Sequence, residues 1–329
     1  MKSFPVRLEA IAAPEPLLAA WRSYRSGKRR RPAVARFEID AERRLLDLSD
    51  ALLAGSYRHG RYRLLLIHDP KARLIAVASV GDRVVHRAVY DALAPLYNRS
   101  FIADTYACLE GRGSHRGVLR FLEFQRRYRF VMHLDVERYF ASVDHGILLD
   151  LLEPRLRDQR VAALLRAILD SGRELYRRQR VAAFYGQPED GSGRPRGLPI
   201  GNLTSQWWGN LYLDGFDQFA KRTLKVRGYE RYMDDQVLFA DDRATLRSWR
   251  REARDWLWEE RRLRLNQRKG HIRSTALPQT YLGYRITRQG FDLGPKAWRR
   301  FRRRLRQLRG MKPWEIERRL GAWRGAITF

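Results

Sequence analysis

Apolar residues recur at helical spacing through much of this chain, broken by short runs that alternate and then meet acids. Residues 1–60 read as helical, with Lys28-Arg29-Arg30-Arg31 beside Gly27 and Pro32 as a loop or helix end. Tyr62 to Ile67 and Leu74 to Val80 are strand-like, and His68-Asp69-Pro70-Lys71 between them predicts a hairpin. Val84, Val85, Ala88, Val89 and Leu93 share one helix face, with Asp82 as cap and Pro95 as terminator. Phe130 to Val136 predicts a strand ending at Asp135, and Asp144 caps the helix through Leu148, Leu149 and Leu152. Glycine and proline crowd residues 185–197, a loop. Asn202 opens a helix with Leu203, Trp207, Leu211 and Phe219 on one face. One of the two adjacent tryptophans, Trp207 and Trp208, is expected in the core. A hairpin around Tyr232-Met233-Asp234-Asp235 follows, then a helix carrying Leu246, Trp249, Ala253 and Trp256, capped at Asp241-Asp242. Tyr281 to Ile286 is one more short strand. Trp298, Phe301, Leu305 and Leu308 stripe a final helix that is otherwise basic. The order from residue 130 predicts an α+β layer with acids gathered at one end of the sheet.

Charge narrows the partner. The 329 residues carry 66 basic and 37 acidic side chains, a formal net charge of +29. Such an excess repels itself unless a polyanion neutralises it, which points to nucleic acid. Arginine dominates the basic residues, and its planar fork suits phosphates and base stacking. Cys108 is the single cysteine, so an internal disulfide and a multi-cysteine zinc site are excluded. No segment approaches the length of a membrane span. A cytoplasmic location without a membrane partner is the expectation.

The acids carry the chemistry. Adjacent carboxylates repel and are poor strand formers. Asp234-Asp235, flanked by Tyr229, Tyr232, Val237, Leu238 and Phe239, therefore reads as a pair neutralised by a divalent cation. All-oxygen ligands favour Mg²⁺, with Mn²⁺ as the substitute, over zinc. With Asp135, three carboxylates on two strand ends could hold two metals about 3.5–4 Å apart, the arrangement of in-line phosphoryl transfer.

These residues carry a family resemblance from about Leu64 to Ile286. Leu134-Asp135-Val136-Glu137-Arg138-Tyr139-Phe140, Gly197 to Gln206, and Tyr232-Met233-Asp234-Asp235 resemble, in order, three palm motifs of reverse transcriptases. Asp82 to Val89 is similar to the fingers of group II intron-like bacterial members. Most members carry Gln where Ile200 stands and Ser-Pro where Ser205-Gln206 stands. That departure resembles the enzymes of diversity-generating retroelements, which misincorporate opposite adenines of a template-repeat RNA.

The resemblance implies a right-hand polymerase fold with a ferredoxin-like palm sheet and a helical thumb. Fingers and an N-terminal extension would occupy residues 1–130. The palm would occupy 131–290 with a finger insertion near 150–196, and the thumb 291–329. It implies catalytic Asp135, Asp234 and Asp235, with the Val136 carbonyl as a further metal ligand. Lys71 and Arg73 would reach the triphosphate, Phe140 would exclude a ribose hydroxyl, and Lys269 would lie near the pyrophosphate. Ile200, Gly201, Gln206, Tyr232 and Met233 would border the nucleotide. Tyr281, Leu282 and Gly283 would grip the primer, and Arg299 and Arg303 would track the nucleic-acid backbone. Template RNA, a cDNA primer, dNTPs and a pentameric accessory variability protein are the implied partners. Two other readings stay open: an intron-like or defence-associated reverse transcriptase of ordinary fidelity, and an inactive RNA-binding scaffold.

Overall fold

The computed structural model describes residues 3–68, 72–186, 193–308 and 310–317. Four helices open the chain: α1 (Glu9–Ala12), α2 (Pro14–Arg25), α3 (Pro32–Ile39) and α4 (Ala41–Leu53). Proline in the first turn of α2 and of α3 loses no hydrogen bond, because those N–H groups have no helical acceptor. Strands β1 (Arg63–Ile67) and β2 (Arg73–Val77) form the expected antiparallel hairpin, Arg63 opposite Val77. Lys71, between the two strands in sequence, lies outside the described residues.

Helix α5 (Val80–Tyr97) corrects two expectations. Its cap is Ser79, whose Oγ accepts the Asp82 N–H at 3.1 Å and donates to the Asp82 carboxylate at 2.6 Å. Two cap-forming residues three apart answer each other here, and the first of them closes the helix. Pro95 does not end α5, which runs on to Tyr97, a fully buried ring.

The chain continues through α6 (Ser114–Arg127), β3 (Phe130–Asp135), α7 (Tyr139–Ser142), α8 (His145–Leu152), α9 (Gln159–Arg177), α10 (Gln179–Tyr185) and α11 (Leu203–Gln218). Then come β4 (Gly228–Tyr232), β5 (Asp235–Ala240), α12 (Arg243–Arg261), β6 (Arg273–Ser274), β7 (Gln279–Tyr281), β8 (Tyr284–Thr287), β9 (Gly290–Leu293) and α13 (Pro295–Gln307). Asp144 caps α8 by accepting the Ile147 N–H at 3.1 Å, and Asp242 caps α12 by accepting that of Thr245 at 2.7 Å. Both acids are structural, as the sequence suggested.

The chain divides into two compact units. The first comprises Met1–Phe101, Val136–Phe216 and Asp255–Arg264; the second comprises Ile102–Asp135, Asp217–Arg254 and Leu265–Phe329. In the first, Ile11, Leu17, Val84, Val85, Val89 and Tyr97 are fully buried, and both Trp207 and Trp208 are core residues. Burying each such side chain contributes about 1.5–3 kcal/mol. The β1–β2 hairpin packs Ala76 against Tyr62, Leu175 and Val181.

The second unit is built on an antiparallel sheet of order β4-β5-β3-β6. Val131, Val237 and Phe239 on one face pack against Val118, Phe121 and Phe124 of α6 and against Tyr281, Ile286 and Leu293. The strand expected at 281–286 is two strands of a three-stranded meander, β7-β8-β9. Leu282 and Gly283 make the turn at positive φ, 48° and 91°. On α13 the apolar stripe is only partly covered: Trp298 packs against the unit's core while Leu305 is 39 % exposed.

Candidate active site

The three aspartates converge because of strand register in the second unit. β3 and β5 pair antiparallel with Asp135 directly opposite Asp235. β4 and β5 pair with Tyr232 opposite Asp235, so Met233 and Asp234 form the two-residue turn. Met233 adopts φ 56°, strained for a residue with a side chain, and must be held there.

The holding group is Arg231, which sequence reasoning missed. Its Nη1 donates to the Met233 carbonyl at 3.0 Å. Its Nε and Nη2 donate to the two oxygens of Asp217, each at 2.7 Å, with both side chains fully buried. Asp217 also accepts from Thr105 Oγ1 at 2.8 Å and from the Tyr229 hydroxyl at 2.6 Å. A bidentate, fully satisfied pair is the form in which a buried charge is tolerated. Its sequence signal is faint: Glu230-Arg231 are charges inside a strand between two tyrosines.

Each carboxylate has its own partners. Asp135 is engaged by Lys269 Nζ at 2.6 Å and by Asn266 Nδ2 at 3.2 Å. Its carbonyl accepts the Asn266 N–H at 2.8 Å, tying the 266–269 turn to the end of β3. His133 Nδ1 lies 3.2 Å from Asp235 Oδ1. Burial, and then the charges of Asp135 and Asp235, raise the Asp234 pKa, while Lys269 opposes them. The site thus concentrates negative charge, and the donor set is all oxygen, which fits a hard divalent cation. As the side chains stand, among the described residues no group of three or more His, Cys, Asp or Glu is arranged to hold a metal ion. Asp135 is occupied by the Lys269 ammonium instead.

Other expected residues of this unit separate by exposure. Tyr232 and Met233 are half-buried beside the turn, and Arg299 and Arg303 are exposed on α13. Tyr281 is a correction: its ring is 1 % exposed, stacked on Phe121 at 4.8 Å, and cannot itself touch a primer. Strand alternation turns it inward, leaving half-buried Leu282 and exposed Gly283 at the surface of that turn.

The first unit holds the rest. Val136 directly follows Asp135 and is buried. Arg73 is exposed at the start of β2. Phe140 is half-buried, and its carbonyl accepts the Leu198 N–H at 2.7 Å. The Ile200 carbonyl accepts the Ala76 N–H at 2.8 Å. Gly201 has φ 122°, and a Cβ there would lie 2.8 Å from the Ala76 carbonyl, so only glycine lets this loop approach β2. Gln206 is exposed in the first turn of α11.

Residues 68–286 match the family model described as reverse transcriptase (RNA-dependent DNA polymerase). Protein YkfC of Escherichia coli is 27 % identical over 282 residues, covering 74 % of this chain and 71 % of that protein. An uncharacterized 91 kDa protein in cob intron of Schizosaccharomyces pombe is 23 % identical over 149 residues, 45 % of this chain and 17 % of that one. Telomerase from Candida albicans, solved with a TWJ fragment of telomeric RNA, superposes with TM-score 0.49 at 11 % identity, covering 77 % of this chain and 51 % of that one. Apo telomerase from Candida tropicalis gives TM-score 0.47 at 10 % identity, covering 71 % and 54 %. The chain spans about half the length of those telomerase chains.

Proposed function

The chain belongs to the reverse transcriptase family of RNA-dependent DNA polymerases, and from that premise we propose that it makes error-prone cDNA for a diversity-generating retroelement. The observation that carries the enzymatic part is the in-register apposition of Asp135 and Asp235, with Asp234 on the adjoining turn. These three carboxylates, with the Val136 carbonyl, would hold Mg²⁺ or Mn²⁺. Bound there, the metal supplies activation of the primer 3′-hydroxyl and neutralisation of the triphosphate.

The protein's own groups do the remaining work. Lys269, once released from Asp135, donates a proton to the leaving pyrophosphate. Lys71 and Arg73 bind the triphosphate, and Phe140 excludes the ribose hydroxyl. Tyr232 and Met233 line the turn beside the reacting groups. Leu282, Gly283, Arg299 and Arg303 contact the primer and template backbone, which the +29 charge favours. In this assignment residues 1–130 are fingers, 131–290 palm and 291–329 thumb. A pentameric accessory protein is the further partner.

The mutagenic part rests on Ile200. It is half-buried in a loop held against β2 by the Ala76–Ile200 hydrogen bond and the close approach at Gly201. An apolar side chain there offers no hydrogen bond with which to check base-pair geometry. The competing reading, an intron-like enzyme of ordinary fidelity, is favoured by the similarity to the protein in cob intron. Sequencing cDNA made by Ile200→Gln separates the two. The mutagenic reading expects fewer errors opposite adenine than in the parent; an equally accurate parent and variant favour the intron-like enzyme. No membrane partner is invoked, and among the described residues no helix is long and apolar enough to cross a membrane.

A further inference from the structure

Three residues of the Ile200–Thr204 segment are each held by a different partner from residues 57–86. Ala76 N–H donates to the Ile200 carbonyl at 2.8 Å, Asn202 Nδ2 donates to the Tyr62 hydroxyl at 2.7 Å, and Thr204 Oγ1 lies 3.0 Å from His86 Nδ1. The last link belongs to a longer chain. His86 Nε2 faces His59 Nε2 at 3.1 Å, and His59 Nδ1 lies 2.7 Å from the Gly60 carbonyl. Asp82, one turn before His86 on α5, fixes the same loop. It accepts from the Tyr57 hydroxyl at 2.8 Å and from the Gly60 N–H at 3.2 Å.

The chemistry orders these bonds. A carbonyl only accepts, so His59 Nδ1 carries a proton. His59 Nε2 and His86 Nε2 share one proton between them, and His86 Nδ1 and the Thr204 hydroxyl share another. The contacts run without a break from Thr204 through His86 and His59 to Gly60. His86 is 1 % exposed and Thr204 fully buried, so neither has water as a substitute partner. Burial, and then His59, hold the His86 pKa down to about 3, which keeps that ring neutral.

We propose that His86 is a positioning residue for nucleotide selection, setting the Ile200–Gln206 segment through Thr204. This rests on the reading of Ile200 as a neighbour of the incoming nucleotide. None of these residues is Asp135, Asp234 or Asp235, so the effect belongs in the nucleotide KM and in the error spectrum.

The test is dNTP-dependent primer extension by the full chain carrying Thr204→Val, a change of similar shape that replaces the hydroxyl by a methyl, beside His86→Phe and the double variant. The dNTP KM should rise roughly fivefold or more, the factor one lost buried hydrogen bond carries, with kcat changed less than about twofold, the scale of a site left chemically intact. The double variant should match the more affected single one, because both break one chain. Thr204→Val keeps the test available if His86→Phe fails to fold. Ile200→Gln runs in parallel. If Ile200→Gln moves KM or errors while folded Thr204→Val moves neither, the positioning role is wrong and the reading of Ile200 stands. If Ile200→Gln moves nothing, that reading fails and takes the positioning role with it.

Discussion

Lys269 Nζ lies 2.6 Å from Asp135 Oδ1, so the chain supplies its own cation to the carboxylate that family resemblance assigns to metal. The ammonium and a divalent ion compete for one charge. Lys269→Met should therefore tighten Mn²⁺ binding by up to about fivefold, the scale of a partly exposed ion pair, while lowering turnover. A calorimetric Mn²⁺ titration of the unliganded chain reads this directly. Unchanged affinity would show that the pair and the metal do not compete.

Arg231 connects the buried Asp217 to the strained turn at Met233. Arg231→Met leaves the Asp217 carboxylate buried without its counter-ion, a loss of about 3–5 kcal/mol of stability. Arg231→Lys keeps the charge but not the fork that reaches Asp217 and Met233 together. It should fold with a smaller loss yet lower kcat about tenfold or more, a cost of about 1.4 kcal/mol in the transition state. Urea melts and steady-state kinetics on the two variants separate support of the fold from support of the turn. A Lys variant with full kcat would deny the turn its dependence on the guanidinium.

Glu230 is fully buried one residue earlier, and neither carboxylate oxygen has a hydrogen-bond partner among the described residues. Burial, then Asp104 and Asp235, push its pKa well above the usual carboxylate range. The folded chain therefore keeps a proton that the unfolded chain releases above about pH 4.3. Stability from this group is complete below that value and is lost as pH rises toward the folded-state pKa. Glu230→Gln should raise the melting temperature at pH 8 and change it little at pH 4. Equal shifts at both pH values would mean the effect is packing, not ionisation.

The sequence made the aspartates legible because paired acids beside strand residues conflict with local propensity, and the conflict needs a cause. It made the caps at Asp144 and Asp242 legible because each acid stands just before a helical apolar pattern, where it can accept a free N–H. It did not reveal Arg231, because one strand arginine in so basic a chain gives only a faint signal and its partner Asp217 is fourteen residues away in sequence. Ser79 displaced Asp82 as the cap because both residues can close a helix and three positions separate them. Tyr281 turned inward because motif resemblance specifies a turn, whereas strand alternation decides which of its side chains the solvent sees. The His59–His86–Thr204 chain joins segments more than a hundred residues apart, a relation carried by tertiary packing alone.

The measurement that bears most directly on the central claim is primer extension on an RNA template with Mg²⁺ and dNTPs. The full chain is compared with Asp234→Asn, and RNA affinity is measured for both. The account predicts DNA product from the parent, loss of product in Asp234→Asn, and the same RNA affinity in each. Undiminished synthesis by a folded Asp234→Asn variant would contradict it.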